Sequence, residues 1–135
     1  MIVVDSSIVI NALTDVREPG RIARRRLDRE RDVAAPQLLD LEVLSGLRRL
    51  VTRGVVTRHD ARLALGELGE LDLDRWDHRG LIHRVWELRD NLSSYDAAYV
   101  ALAEELRCPL LTGDARLAKG VEHARSPAPV ELLTG

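Results

Sequence analysis

Short apolar runs separated by much longer helical segments constrain this chain more than any other feature. Ile2-Val3-Val4, residues 32–35 and residues 109–112 read as strands. Residues 6–13, 21–29, 36–53, 58–68, 80–89, 94–107 and 114–119 read as helices. Pro36 suits a first helical turn, and Gly54 and Gly69 suit helix ends. Residues 71–74 alternate apolar and acidic side chains, as a half-exposed strand does, and residues 129–133 fit an edge strand that tolerates Pro129. This alternation predicts an α/β fold in which a mostly parallel sheet is flanked by helices on both faces. No repeat, low-complexity tract or linker interrupts it, so residues 1–135 are expected to form one domain. Phe is absent, which leaves Leu, Val, Ile and Ala to fill the core.

Ligands of open parallel sheets collect at the carboxyl ends of the strands. Asp5 follows the first apolar run there and Asp114 follows the run ending Leu110-Leu111-Thr112-Gly113. Glu42 lies inside an apolar helical segment, and Asp96 opens the Ala-rich segment 97–106. Each acid also has a plainer explanation. Asp5 before Ser6-Ser7, and Asp114 before residues 115–119, are good N-caps. Ser93 and Asp96 have the outline of a capping box. Glu42 has Leu38, Leu39, Ser45 and Gly46 above and below it on a helix, and Arg49 two turns on offers a surface partner. Asp40 sits in the first turn, where the helix dipole alone favours it, and is left outside the set. Carboxylates brought together on one sheet edge repel, and a compensating cation is the simplest remedy. Oxygen ligands without sulfur or clustered imidazoles select Mg²⁺, with Mn²⁺ able to substitute.

Other chemistries find little support. His59, His78, His83 and His123 lack zinc-ligand spacing and read as surface residues. No Gly-rich phosphate loop is present, and the serines lack a His–Asp partnership. The single cysteine, Cys108, cannot form an internal disulfide, reads as a small buried residue, and points to a reducing, cytoplasmic setting. No basic start leads into a long apolar run, so neither a standard export signal nor a membrane span is expected. Net charge is −2, which does not mark the whole surface for nucleic acid. Positive charge is nevertheless almost all arginine, with Lys119 the one lysine. A GC-rich genome explains that bias; so does a demand for bidentate contacts to phosphate. Arg24, Arg25, Arg48 and Arg49 are the candidate contacts to a phosphate backbone.

Four segments carry a resemblance: Ile2-Val3-Val4-Asp5-Ser6-Ser7, residues 35–43 around Glu42, residues 94–103 beginning Ser94-Tyr95-Asp96, and residues 110–117 beginning Leu110-Leu111-Thr112-Gly113-Asp114. In order and spacing the chain resembles a PIN-domain ribonuclease, of the kind that serves as toxin in bacterial VapB–VapC-type toxin–antitoxin pairs. The resemblance implies a three-layer α/β/α fold and a Mg²⁺-dependent endoribonuclease that cleaves RNA with metal-activated water. Asp5 and Asp96 match the acids most directly tied to the metal; Glu42 and Asp114 match the other two. Thr112 and Ser7 match supporting hydroxyl positions. A cognate small antitoxin protein and a homodimer are implied as well. Residues 65–86 carry no matching motif. The rival readings are a phosphoacceptor receiver-like signalling domain, a PIN-like nuclease for RNA or DNA processing, and a partner that has kept the fold without chemistry. The receiver would need adjacent acids after the first strand, where this chain has Ser6-Ser7. Leu63, Leu65 and Leu68 are expected to face the core.

Overall fold

A computed structural model describes residues 1–134. Five parallel strands form one sheet in the order β3-β2-β1-β4-β5. In chain order the elements are β1 (Ile2–Val4), α1 (Ser6–Thr14), α2 (Glu18–Asp28), β2 (Val33–Pro36), α3 (Leu38–Thr52), α4 (Arg58–Glu70) and β3 (Asp74–Trp76). A 3₁₀ turn (Arg79–Leu81), α5 (Ile82–Glu87), α6 (Ser94–Leu106), β4 (Leu110–Thr112), α7 (Ala115–His123) and β5 (Val130–Leu132) follow. Helices flank the sheet in the expected three-layer arrangement.

The central strands show why the apolar runs are unbroken. Every residue of β1 and β4 is buried, because helices cover both faces. The outer strands β3 and β5 are only partly covered. Helix α6 lies across β1, β2 and β4, and its residues Ala97, Ala98, Ala101 and Ala103 are buried. Four small side chains let its backbone come close to the sheet. Close approach also fixes α2 on α1, where a Cβ at Gly20 would collide with the Asp15 carbonyl.

Several boundaries differ from the sequence reading. Pro36 ends β2 and does not open α3. It pairs in register with Trp76 beyond the last β1–β2 pair, Val3 with Ala34, so the ladder to β1 does not need the N–H that proline lacks. Helix α4 runs through Gly69 to Glu70, and β3 therefore begins at Asp74, not at residue 71. Gly69 has open space around it and no left-handed backbone, so it does not stop the helix; Gly54, at φ +72°, follows the end of α3 as expected. Leu71 and Leu73 still pack on the core from the connection, which accounts for their alternation. Helix α7 extends to His123 because Gly120 lets it press on Leu92. Leu63 and Leu65 are exposed, and of that trio only Leu68 is buried.

Candidate active site

The direction in which strands are added reverses between β1 and β4, since β2 and β3 lie to one side of β1 while β4 and β5 lie to the other. The carboxyl edge at such a switch point opens a crevice. Asp5 leaves β1 there and Asp114 follows β4.

Asp5 is 5% exposed and accepts bonds on both oxygens. Its Oδ1 takes the Ser7 hydroxyl at 2.5 Å, the Ser7 N–H at 3.1 Å and the Ile8 N–H at 3.4 Å. Its Oδ2 takes the Thr112 hydroxyl at 2.6 Å. Asp5 therefore does cap α1 through Oδ1, while Oδ2 is bonded only by Thr112 at the end of β4. Burial outweighs these bonds and pushes its pKa up to about 6. Asp114 adds repulsion in the same direction.

The Thr112 hydroxyl also accepts the Asp114 N–H at 2.9 Å, and the Ser7 hydroxyl accepts the Gly113 N–H at 2.9 Å. Ser7 and Thr112 thus clasp β1 to the turn after β4. Asp114 caps α7, accepting from Arg116 N–H at 2.8 Å and Leu117 N–H at 3.4 Å. Asp96 lies in the first turn of α6. Its backbone N–H is taken by the Ser93 hydroxyl at 3.1 Å, and no bond runs from its carboxylate back to the Ser93 N–H, so the capping box is half-formed. Burial first, and Asp114 second, raise the Asp96 pKa.

Glu42 reaches the site from α3. Tyr99 donates its hydroxyl to Glu42 Oε1 at 2.5 Å, and the same phenol lies close enough to Asp5 to feel its charge. Burial, then Glu42, then Asp5 raise the Tyr99 pKa, keeping it a donor. The four acids are thereby linked pairwise: Asp5 to Asp114 through Thr112, Asp114 to Asp96 by charge, and Glu42 to Asp5 around Tyr99. Among the described residues no three acids, histidines or cysteines stand close enough to ligate an ion without moving. Neither Asp5, Glu42 nor Asp96 has an arginine or lysine ion pair among the described residues; Arg116 approaches Asp114 at 3.9 Å from an exposed position. One buried and three half-buried carboxylates, with only the exposed Arg116 near them, form a donor set suited to a hard divalent cation. Asp40, by contrast, is consumed by Arg75 in a bidentate pair at 2.7 and 2.9 Å.

The predicted arginines separate. Arg49 is exposed and lines a groove of about 430 Å³ with Ser6, Leu38, Leu41, Glu42, Ser45 and Tyr95. Arg24 is turned inward, donating to the Ala12 and Asp15 carbonyls at 3.0 and 2.9 Å. Arg25 and Arg48 are exposed and make no side-chain bond or ion pair among the described residues. Sequence reasoning passed over Tyr99 and Arg116. Tyr99 stands three residues after Asp96 on one helix, and that i,i+3 spacing was a usable signal. The histidines are exposed and Cys108 is buried, as expected. No helix of the described residues is long and apolar enough to cross a membrane.

Comparison with known proteins identifies the family. The PIN domain family matches residues 2–121. Ribonuclease VapC9 of Mycobacterium tuberculosis is 47% identical over 118 residues, spanning 87% of this chain and 88% of the relative. Ribonuclease VapC1 of the same organism is 45% identical over 117 residues, spanning 86% and 87%. Ribonuclease VapC12, also of that organism, is 34% identical over 133 residues, 98% of this chain and 99% of its own.

Proposed function

This chain belongs to the PIN-domain family, and on that premise we propose that it is a metal-dependent endoribonuclease acting as the toxin of a toxin–antitoxin pair. Asp5, Glu42, Asp96 and Asp114 are its acidic centre. The observation that carries this reading is Asp5: a carboxylate buried at the β1–β4 switch point, raised to about 6, and without a cationic side chain to neutralise it. Mg²⁺ fits this donor set, and Mn²⁺ is expected to replace it.

When bound, the ion supplies charge neutralisation at the phosphodiester and a water acidic enough to attack it near neutral pH. The chain's own contributions are positional. Asp5 and Asp96 would be the acids that hold the ion most directly. Asp114 is held by two α7 amides and Glu42 by Tyr99, which completes the rim. Ser7 and Thr112 keep Asp5 from rotating away. Arg49 and Arg116 flank the acids and attract the RNA backbone that the acids alone repel.

A cognate antitoxin is the proposed partner. An apolar groove of about 440 Å³, lined by residues including Leu38, Ile82, Val85, Trp86 and Tyr95, opens beside the acids and shares Leu38 and Tyr95 with the groove around Glu42. An amphipathic segment seated there would reach the centre. The homodimer is carried from the family resemblance, and the cytoplasmic setting from the single cysteine, Cys108.

Mapping cut ends in total RNA incubated with the protein, with Mg²⁺ and with chelator, tests the activity. Discrete new ends that need Mg²⁺ and disappear in the Asp5→Asn variant are expected. Cleavage that persists in chelator, or in that variant, removes the acidic centre from the reaction.

A further inference from the structure

Two of the four acids cap the helix they open, a third sits in a first turn, and Glu42 does neither. Asp5 and Asp114 are N-caps, and Asp96 sits on the first turn of α6 behind its Ser93 cap. Glu42 lies past the first turn of α3, where the local amides are already committed to the helix. Its side chain is longer than an aspartate's and loses up to about 2 kcal/mol of rotamer freedom when ordered. One hydrogen bond holds it among the described residues, from Tyr99 at 2.5 Å. Tyr99 is itself wholly buried in α6, with 0% exposure, so the hydroxyl has a fixed origin. It rises from the same helix as Asp96, one turn on.

We propose that Tyr99 is a positioning residue for the metal centre: its buried hydroxyl fixes the Glu42 carboxylate through Oε1 and leaves Oε2 without a protein bond among the described residues, tying the acid of α3 to the helix that carries Asp96. This inference rests on the metal-dependent reading above and deepens it. The hydroxyl has a single proton to donate, and donation to a carboxylate gives a short, charge-assisted bond. A partner that orients a ligand in this way characteristically changes metal affinity or activity by roughly 10- to 100-fold when removed. Phenylalanine keeps the ring that fills the core and removes only the donor.

The test uses the full chain and Mn²⁺ as probe, with affinity read by electron paramagnetic resonance of the free ion. Tyr99→Phe is expected to raise the Mn²⁺ dissociation constant about tenfold. At saturating Mn²⁺ its cleavage of RNA should show an unchanged KM and a lower kcat, while its metal-free melting temperature stays near that of the unaltered protein. Wild-type Mn²⁺ affinity and kcat in Tyr99→Phe, beside a Glu42→Ala variant that loses both, overturns the positioning role and leaves the nuclease reading intact. No Mn²⁺ binding by the unaltered protein overturns both. A second measurement stands if Tyr99→Phe does not fold. The unaltered protein should show one slowly exchanging, downfield phenol proton, from Tyr99, since the other tyrosine, Tyr95, is 65% exposed. That resonance should move on titration with Mg²⁺ and vanish in Glu42→Ala. A resonance indifferent to Mg²⁺ overturns the proposal.

Discussion

Thr112 donates its hydroxyl to Asp5 Oδ2 at 2.6 Å and with the same oxygen accepts the Asp114 N–H at 2.9 Å. One side chain at the end of β4 therefore spaces two acids that lie 109 positions apart in the chain. Thr112→Val keeps the shape and removes both bonds, leaving a buried carboxylate oxygen and an amide without partners. It should lower stability by about 1–3 kcal/mol and reduce cleavage, whereas Thr112→Ser should retain both. Denaturant titration of the metal-free variants checks the first part, and cleavage rates check the second. A valine variant as stable and as active as the serine variant would show that the clasp is idle.

Asp5 should oppose folding when no metal is bound. Its pKa rises from 3.8 to about 6 on folding, so the folded state holds the proton more tightly than the unfolded one. The stability linked to that proton is fully present below about 3.8 and is lost as pH rises through about 6. Above that, the buried charge costs on the order of 3 kcal/mol. Asparagine keeps the N-cap and has no charge. Asp5→Asn should therefore melt higher than the unaltered metal-free protein at pH 7.5, lose that advantage near pH 4, and cleave no RNA. Thermal melts across that range decide it; a variant less stable at every pH would mean that the cap bonds outweigh the charge.

The same proton competes with the metal. Below about pH 6 the ligand must lose its proton before it can bind a cation, so apparent affinity should fall about tenfold for each further pH unit, with proton release on binding. Asp96, also raised, adds in the same direction. Mn²⁺ calorimetry at pH 5, 6 and 7.5 in buffers of different ionisation enthalpy measures both quantities. Affinity that stays flat between pH 5 and 7 would exclude Asp5 as a ligand.

What was legible in the chain was what a few consecutive residues encode. Ile2-Val3-Val4 reads as a buried strand because both faces are covered, and Asp5 before Ser6-Ser7 marks where it ends. The order and spacing of the four acids carried the family. The Tyr99–Glu42 bond joins residues 57 apart, and its existence depends on how α6 lies over the sheet. Pro36 looked like a helix start because its missing N–H suits either a first turn or the end of a strand; only the β1–β2 register distinguishes them. Arg24 and Arg25 were equivalent as sequence. On α2 they point about 100° apart, one toward the end of α1 and the other into solvent.

That difference makes the arginines separable by experiment. Arg24 donates to the Ala12 and Asp15 carbonyls at the end of α1, where helix carbonyls lack partners of their own. Arg24→Ala should cost roughly 1.5–3 kcal/mol of stability and leave the KM for RNA unchanged. Arg49 is exposed, has no side-chain bond or ion pair among the described residues, and lines the groove that contains Glu42. Arg49→Ala should change stability by no more than about 0.5 kcal/mol. It should raise KM several-fold with kcat retained, and flatten the salt dependence of kcat/KM by about 0.7 in logarithmic slope, the share of one phosphate on a single strand. Melting curves and cleavage rates between low and moderate salt distinguish the two variants. If Arg24→Ala raised KM at full stability while Arg49→Ala left the salt slope untouched, the RNA would have to approach over α2, away from the groove beside Glu42.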